Sequence, residues 1–181
     1  MKFKINTSIT IFFLLAGFCN CFSQWTQTQN FGAFYIVDLT SKDNLIFASA
    51  DTIGVYRSSD NGLSWTAVNS GFTHRSIPSI AGNSSDLFAS AYSGVYRSSN
   101  NGNNWTFLNN GLIGGPIVEV ITNGNDIYAG YGLAGVFRST NNGNSWSRFA
   151  LGEGDKMFTL HAQNNVIYIS VANTIYRTTD N

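Results

Sequence analysis

Short runs of alternating apolar and polar residues, each closed by Gly, Asn or Asp, follow one another along this chain. Tyr35–Thr40, Leu45–Ala50, Gly54–Ser58 and Trp65–Asn69 are four such runs, rich in β-branched and aromatic side chains, and each predicts a strand. The same four return near Ile77–Ala81, Leu87–Ala91, Val95–Ser98 and Trp105–Leu108, then near Ile117–Thr122, Ile127–Gly130, Val136–Ser139 and Trp146–Phe149. Every connection is short enough for a hairpin.

The period is read from two residue types. Trp25, Trp65, Trp105 and Trp146 are all the tryptophans of the chain, spaced 40, 40 and 41 residues apart, and Arg57, Arg97, Arg138 and Arg177 keep step at 40, 41 and 39. Around each arginine one phrase recurs: Gly54-Val-Tyr-Arg-Ser-Ser-Asp-Asn-Gly62, Gly94 to Gly102, Gly135 to Gly143, and Thr174-Ile-Tyr-Arg-Thr-Thr-Asp-Asn181. A four-stranded meander repeated every forty residues or so is the plan of a propeller blade. WD-type repeats share that period, but their Gly-His and Trp-Asp marks are absent. The expected fold is therefore all-β, a β-propeller of about four four-stranded blades, with repeats near 25–64, 65–104, 105–145 and 146–181.

The residues after each arginine carry a family resemblance. Ser58, Asp60, Gly62 and Trp65 fit the pattern S-x-D-x-G-x-[ST]-W, which resembles the Asp box, or BNR repeat, of sialidases, sortilin-type receptors, xyloglucan-active glycosidases and photosystem-assembly-factor-like propellers. Ser98, Asn100, Gly102 and Trp105, then Ser139, Asn141, Gly143 and Trp146, are similar, with Asn at the acidic position and Asn104 in place of the hydroxyl residue. In such a turn an Asp or Asn side chain accepts amides further along, glycine supplies positive φ, and hydroxyls cap further amides. Asn keeps the carbonyl acceptor and loses the charge, so a structural turn tolerates the drift and a catalytic carboxylate does not. In the sialidase-like relatives the boxes lie outside the propeller, away from substrate, and the resemblance implies the same structural role for Asp60.

Candidate chemistry has to come from elsewhere. An arginine repeated in every blade reads as blade construction rather than as the arginine cluster that holds a sialic acid carboxylate. Arg75-Ser-Ile-Pro78 is a poor match to the Arg-Ile-Pro element of sialidases. Aligned by distance from the preceding tryptophan, the innermost strands place Asp38, Ser79, Glu119 and Thr159 at one position and Thr40, Ala81, Ile121 and His161 two residues later. Side chains alternate, so Asp38, Glu119 and His161 are expected on the channel side, where two carboxylates and a histidine are weak catalytic or metal-binding candidates against a background of ordinary channel polarity. Tyr92, Tyr131 and Phe72 near loops are candidates for stacking on sugar rings. Zinc, EF-hand, nucleophile-elbow and phosphate-loop motifs are missing, and no cofactor is expected.

Composition and the two ends of the chain set the context. Lys2 and Lys4 precede the apolar run Ile9–Phe18, which reads as a signal peptide over residues 1–23 and predicts a secreted or cell-surface protein starting at Gln24. The run is too short to span a bilayer comfortably, so no stable membrane insertion is expected after cleavage. Cys19 and Cys21 leave with the leader, which removes any disulfide framework. Eight basic and ten acidic residues then remain, a balance with no electrostatic footprint for nucleic acid. Thr178-Thr-Asp-Asn181 begins a fourth box without its glycine and tryptophan, while Trp25-Thr-Gln-Thr-Gln resembles an outer strand. The preferred expectation is a fragment, an incomplete propeller, and the alternative is a ring of four latched by its N-terminal strand.

Regular repeats without a converging catalytic set predict a non-catalytic binding or scaffold module for protein or glycan, part of a larger exported protein. The alternative is a glycoside hydrolase, sialidase-like or xyloglucan-active, resting on the Asp-box resemblance and on Asp38 and Glu119. The leader and the Asn-rich repeats look like those of exported bacterial proteins.

Overall fold

A computed structural model of the protein describes residues 26–29, 31–32, 34–92, 94–151 and 154–178. The expected leader, Trp25 and the last residues of the unfinished fourth box lie outside the described residues. Blade 1 is built from β1 (Ile36–Lys42), β2 (Leu45–Ala50), β3 (Gly54–Ser58) and β4 (Thr66–Ala67), and blade 2 from β5 (Ile80–Gly82), β6 (Leu87–Ala91), β7 (Gly94–Ser98) and β8 (Thr106–Leu108). Blade 3 comprises β9 (Ile117–Asn123), β10 (Asp126–Tyr131), β11 (Gly135–Ser139) and β12 (Ser147–Ala150), and blade 4 comprises β13 (Met157–Gln163), β14 (Val166–Val171) and β15 (Thr174–Thr178). Each blade is an antiparallel meander in sequence order. The fold is the all-β propeller arrangement expected from the repeats.

The middle strands match expectation closely, and the inner and outer ones shift at their ends. The outer strand β4 stops early because the Asn69 side chain takes over the ladder: its Oδ1 accepts the Val55 N–H at 2.7 Å and its Nδ2 donates to Ile53 O at 3.0 Å. At the start of β1, β9 and β13 the register slips by one residue, at Val37, Val118 and Phe158. Such a bulge re-aims side chains. It puts Ile117 and Val120 on one face of β9 and Glu119 on the other, and Met157 and Leu160 likewise flank Thr159.

Among the described residues the innermost strands pack side by side in the order β1, β5, β9, β13, with no comparable packing between β13 and β1. The blades thus form an open arc. Each junction between consecutive blades is one apolar cluster: Phe47, Val55 and Val68 of blade 1 meet Ile80, Leu87, Tyr96 and Trp105 of blade 2. Phe88 and Val95 meet Val120, Ile127, Phe137 and Trp146 at the second junction, and Tyr128 and Val136 meet Met157, Leu160, Ile167 and Ile169 at the third. Burying one such large side chain stabilises by about 1.5–3 kcal/mol.

The linker entering blade 2 runs directly beneath Trp105, whose N–H donates to Ser70 O at 2.9 Å, and Trp146 repeats the contact on Asn110 O at 2.9 Å. Gly71 and Gly111 permit this approach. Their φ values are +92° and +88°, and a Cβ on either would lie 2.1 Å from the carbonyl oxygen of Trp105 or Trp146.

Candidate functional site

Two of the three inner-strand candidates, Asp38 and Glu119, lie at the blade junctions and bind the backbone of the next blade. Asp38 Oδ2 accepts the Ile80 N–H at 2.9 Å and the Ser79 hydroxyl at 2.8 Å. Ser79 Oγ in turn accepts the Val120 N–H at 3.3 Å. Glu119 repeats the device one junction on, accepting the Leu160 N–H through Oε2 and the Thr159 hydroxyl through Oε1 at 3.1 Å. Each of these side chains ties one inner strand to the following one.

Electrostatics follow from that placement. Burial pushes the Glu119 carboxyl above the usual glutamate range, opposed by its hydrogen bonds from Leu160 and Thr159; the fields of Asp38 and His161 act on it more weakly and in opposite directions. His161 is exposed and lies against Tyr168, with ring centroids 6.4 Å apart. Among the described residues no group of three His, Cys, Asp or Glu side chains is placed to hold a metal ion.

The three complete Ser-x-Asp/Asn turns share one geometry. Ser58 Oγ accepts the Gly62 N–H at 2.8 Å and donates to Asp60 Oδ1 at 2.8 Å, while Asp60 Oδ1 accepts the Ser64 N–H at 2.9 Å. Asn100 and Asn141 accept the Asn104 and Ser145 N–H groups at the same 2.9 Å, so the carbonyl does the work and the charge is dispensable. The one visible change is polarity: Ser64 donates its hydroxyl to Asp60 at 2.6 Å, whereas Ser145 accepts from Asn141 Nδ2 at 2.8 Å. Hydrogen bonds from Ser64 and Ser58 hold the Asp60 carboxyl down at about 2. Positive φ is shared between each glycine and the asparagine before it, at 57° for Asn61, 55° for Asn101 and 57° for Asn142.

The tryptophans differ with their surroundings. Trp105 is fully buried and donates through Nε1 to Val68 O of the preceding blade at 2.8 Å, whereas Trp65, half-buried, turns its Nε1 to Gly62 O at 3.0 Å within its own turn. Phe31 covers Trp65 edge-on with a centroid distance of 6.2 Å.

The recurring arginines lie along β3, β7, β11 and β15. Arg57 Nη1 donates to Asn101 O at 2.8 Å and Asn103 Oδ1 at 2.9 Å in the turn of the next blade. Arg97 pairs with the buried Asp86 at 3.0 Å, Arg138 pairs with Asp126, and Arg177 is exposed. Arg75 is exposed on its linker while Ile77 beside it is fully buried.

Two of the three aromatics expected to meet sugars are packing residues instead. Phe72 stacks on Trp105 with centroids 4.9 Å apart. Tyr131 is buried, its hydroxyl donating to Ile113 O at 2.7 Å, and burial pushes its phenol up to about 12. Only Tyr92 stands out into solvent, bridged to Pro116.

Sequence reasoning did not find an apolar cleft of about 550 Å³ at the loop end of blades 3 and 4, lined by Pro116, Val118, Tyr131, Leu133, Lys156 and Met157. Its rim includes exposed Leu133, and Lys156 sits 5.0 Å from the Phe158 ring. The one signal was the 41-residue interval between Trp105 and Trp146. The extra residue falls in the Gly132-Leu-Ala134 turn that forms one wall.

No family model and no curated protein matches the chain. Solved structures do. An ancestral GH74 enzyme is 22% identical with a TM-score of 0.63, covering 80% of this chain and 22% of its own. YCF48 bound to D1 peptide is 11% identical with a TM-score of 0.63, covering 78% of this chain and 53% of its own. The computationally designed Ika4 protein is 10% identical with a TM-score of 0.67, covering 84% of this chain and 94% of its own. The chain thus spans about a fifth of the GH74 enzyme and about half of YCF48. These likenesses establish the β-propeller fold.

Proposed function

We infer that the protein is an exported, non-catalytic binding module of the Asp-box propeller class, taking a protein or glycan ligand. The observation that carries this reading is the use of Asp38 and Glu119 as clamps on the neighbouring strand, which occupies the oxygens a glycoside hydrolase would turn toward its substrate. The Asn100 and Asn141 turns support it as well, since they keep their geometry without a carboxylate. The cleft beside Leu133, Lys156 and Met157 is the favoured ligand site, and its aliphatic lining suits the apolar side chains of an extended protein segment better than a sugar ring. YCF48, of similar fold, was solved with a peptide bound.

The second reading, glycoside hydrolysis, is favoured by the likeness to GH74 enzymes. One pair of assays separates them. The purified protein is expected to retain protein or peptide ligands from a display library, with binding lost in Leu133→Asp, and to leave xyloglucan and sialosides intact. Hydrolysis of either substrate, abolished by Glu119→Gln, would overturn the binding reading.

A further inference from the structure

The three internal blade junctions are copies of one interface, and each copy has two sides. The leading side of a blade presents a clamp residue, an aromatic from its second strand and a valine from its third: Asp38, Phe47 and Val55 in blade 1, Ser79, Phe88 and Val95 in blade 2, Glu119, Tyr128 and Val136 in blade 3. The receiving side presents the residue after the clamp position, Ile80, Val120 or Leu160, exposed by only 3%, 1% and 3%, with its N–H turned to the clamp.

Among the described residues the outward sides of blades 1 and 4 are uncovered. Leu39 occupies the receiving position of blade 1 and is 61% exposed. At the other end, Ile175 occupies the position of the valines; Val55, Val95 and Val136 are 0% exposed, and Ile175 is 75% exposed. Beside it Thr159, His161, Tyr168 and Ser170 line an open, mainly apolar hollow of about 280 Å³. The leading side of blade 4 therefore has the same parts as the leading sides already engaged, and the receiving side of blade 1 has the part they engage.

We propose that the chain associates head to tail with a second copy of itself, the leading side of blade 4 accepting the receiving side of blade 1. Leu39 of the second copy packs against Tyr168 and Ile175, as Val120 packs against Phe88 and Val95. In the single chain the Leu39 N–H is held by Asp38 Oδ1 at 2.8 Å; in the assembly the Thr159 hydroxyl takes that N–H over, as the Ser79 hydroxyl accepts that of Val120. The interface is heterologous, so its copies build a closed ring where the rotation closes and an open filament where it does not. It is independent of the ligand cleft, which lies at the loop end of blades 3 and 4.

The test is the mass of the purified protein in solution, by light scattering and sedimentation across a range of concentrations. Wild type is expected at twice the mass of one chain or more. Leu39→Asp and Ile175→Asp are each expected to be monomeric while keeping the wild-type circular dichroism and a cooperative unfolding transition that no longer depends on protein concentration, because both side chains are exposed in the single chain. Leu39→Ser and Ile175→Ser form a milder pair with the same ordering. Mixing the two aspartate variants is expected to restore a dimer and nothing larger, since one retains an intact blade 4 and the other an intact blade 1. Wild type that stays monomeric at every concentration overturns the proposal, as does association that survives both substitutions or a mixture that stays monomeric.

Discussion

Blades 2 and 4 carry the same strand pattern around their arginines, Gly94-Val-Tyr-Arg-Ser98 and Thr174-Ile-Tyr-Arg-Thr178, and live in different surroundings. In blade 2 the run Gly94–Ser98 is flanked on both sides, Tyr96 under the preceding blade and Val95 under the following one, and both are wholly buried. In blade 4 the matching Ile175, on the side away from blade 3, is exposed although the strand pairs with β14 in the same register. Tyr176, on the blade 3 side, is exposed as well, because among the described residues blade 4 has no fourth strand to supply the cover that Phe107 of β8 gives Tyr96. The strand forms in either setting because hairpin geometry and β-propensity are local. Most of its contribution to stability comes from what packs on it, because apolar area leaves water only when a neighbouring blade or an outer strand covers it.

The sharpest way to break this comparison is to truncate equivalent aromatics. Measured in the monomeric Leu39→Asp background, Phe88→Ala, in the core between blades 2 and 3, is expected to lose about 3–5 kcal/mol in denaturant unfolding, and Tyr168→Ala on the open side of blade 4 well under half of that. In the wild-type background, where a second copy covers Tyr168, the two losses are expected to draw closer.

A smaller contrast lies in the clamps. Ser79 is buried between Asp38 and Val120, so Ser79→Ala leaves a buried amide without its partner and is expected to cost about 1–3 kcal/mol. Thr159→Ala, at the same position on a surface exposed in the monomeric Leu39→Asp background, is expected to stay within about 0.5 kcal/mol there. Thermal melts of the two variants check the difference.

The smallest effect is a pH dependence. Because burial raises the Glu119 carboxyl, the folded protein holds that proton at higher pH than the unfolded chain does. Stability from this group is full below the ordinary glutamate range and is lost as pH rises through the raised value. Wild type is expected to lose ground to Glu119→Gln as the buffer moves from acid toward neutral, with the two parallel below that window. Glu119→Gln keeps an acceptor for the Leu160 N–H, so a loss of stability at all pH values would show that the charge itself holds the clamp.

Much of this molecule was legible in the chain. The tryptophan and arginine intervals located the blades, the strand β2 was placed to the residue, and the turn glycines took positive φ as expected. The partner of Asp38 was not legible, because a one-residue bulge at Val37 decides which face the carboxylate takes and no residue type marks it. Nor was the burial of Tyr131 and Phe72, which sit at loop-like positions yet are packed by residues of the neighbouring strands and linker.

The amino-acid sequence by itself determined the repeat, the four-stranded meander and the turn chemistry, since these depend on residues close together in the chain. Which acids become clamps, which tryptophan is buried and which sides of the arc stay open was decided only by tertiary structure. Each of those properties belongs to a pair of blades about forty residues apart, and a residue's burial is set by whether its neighbour is there.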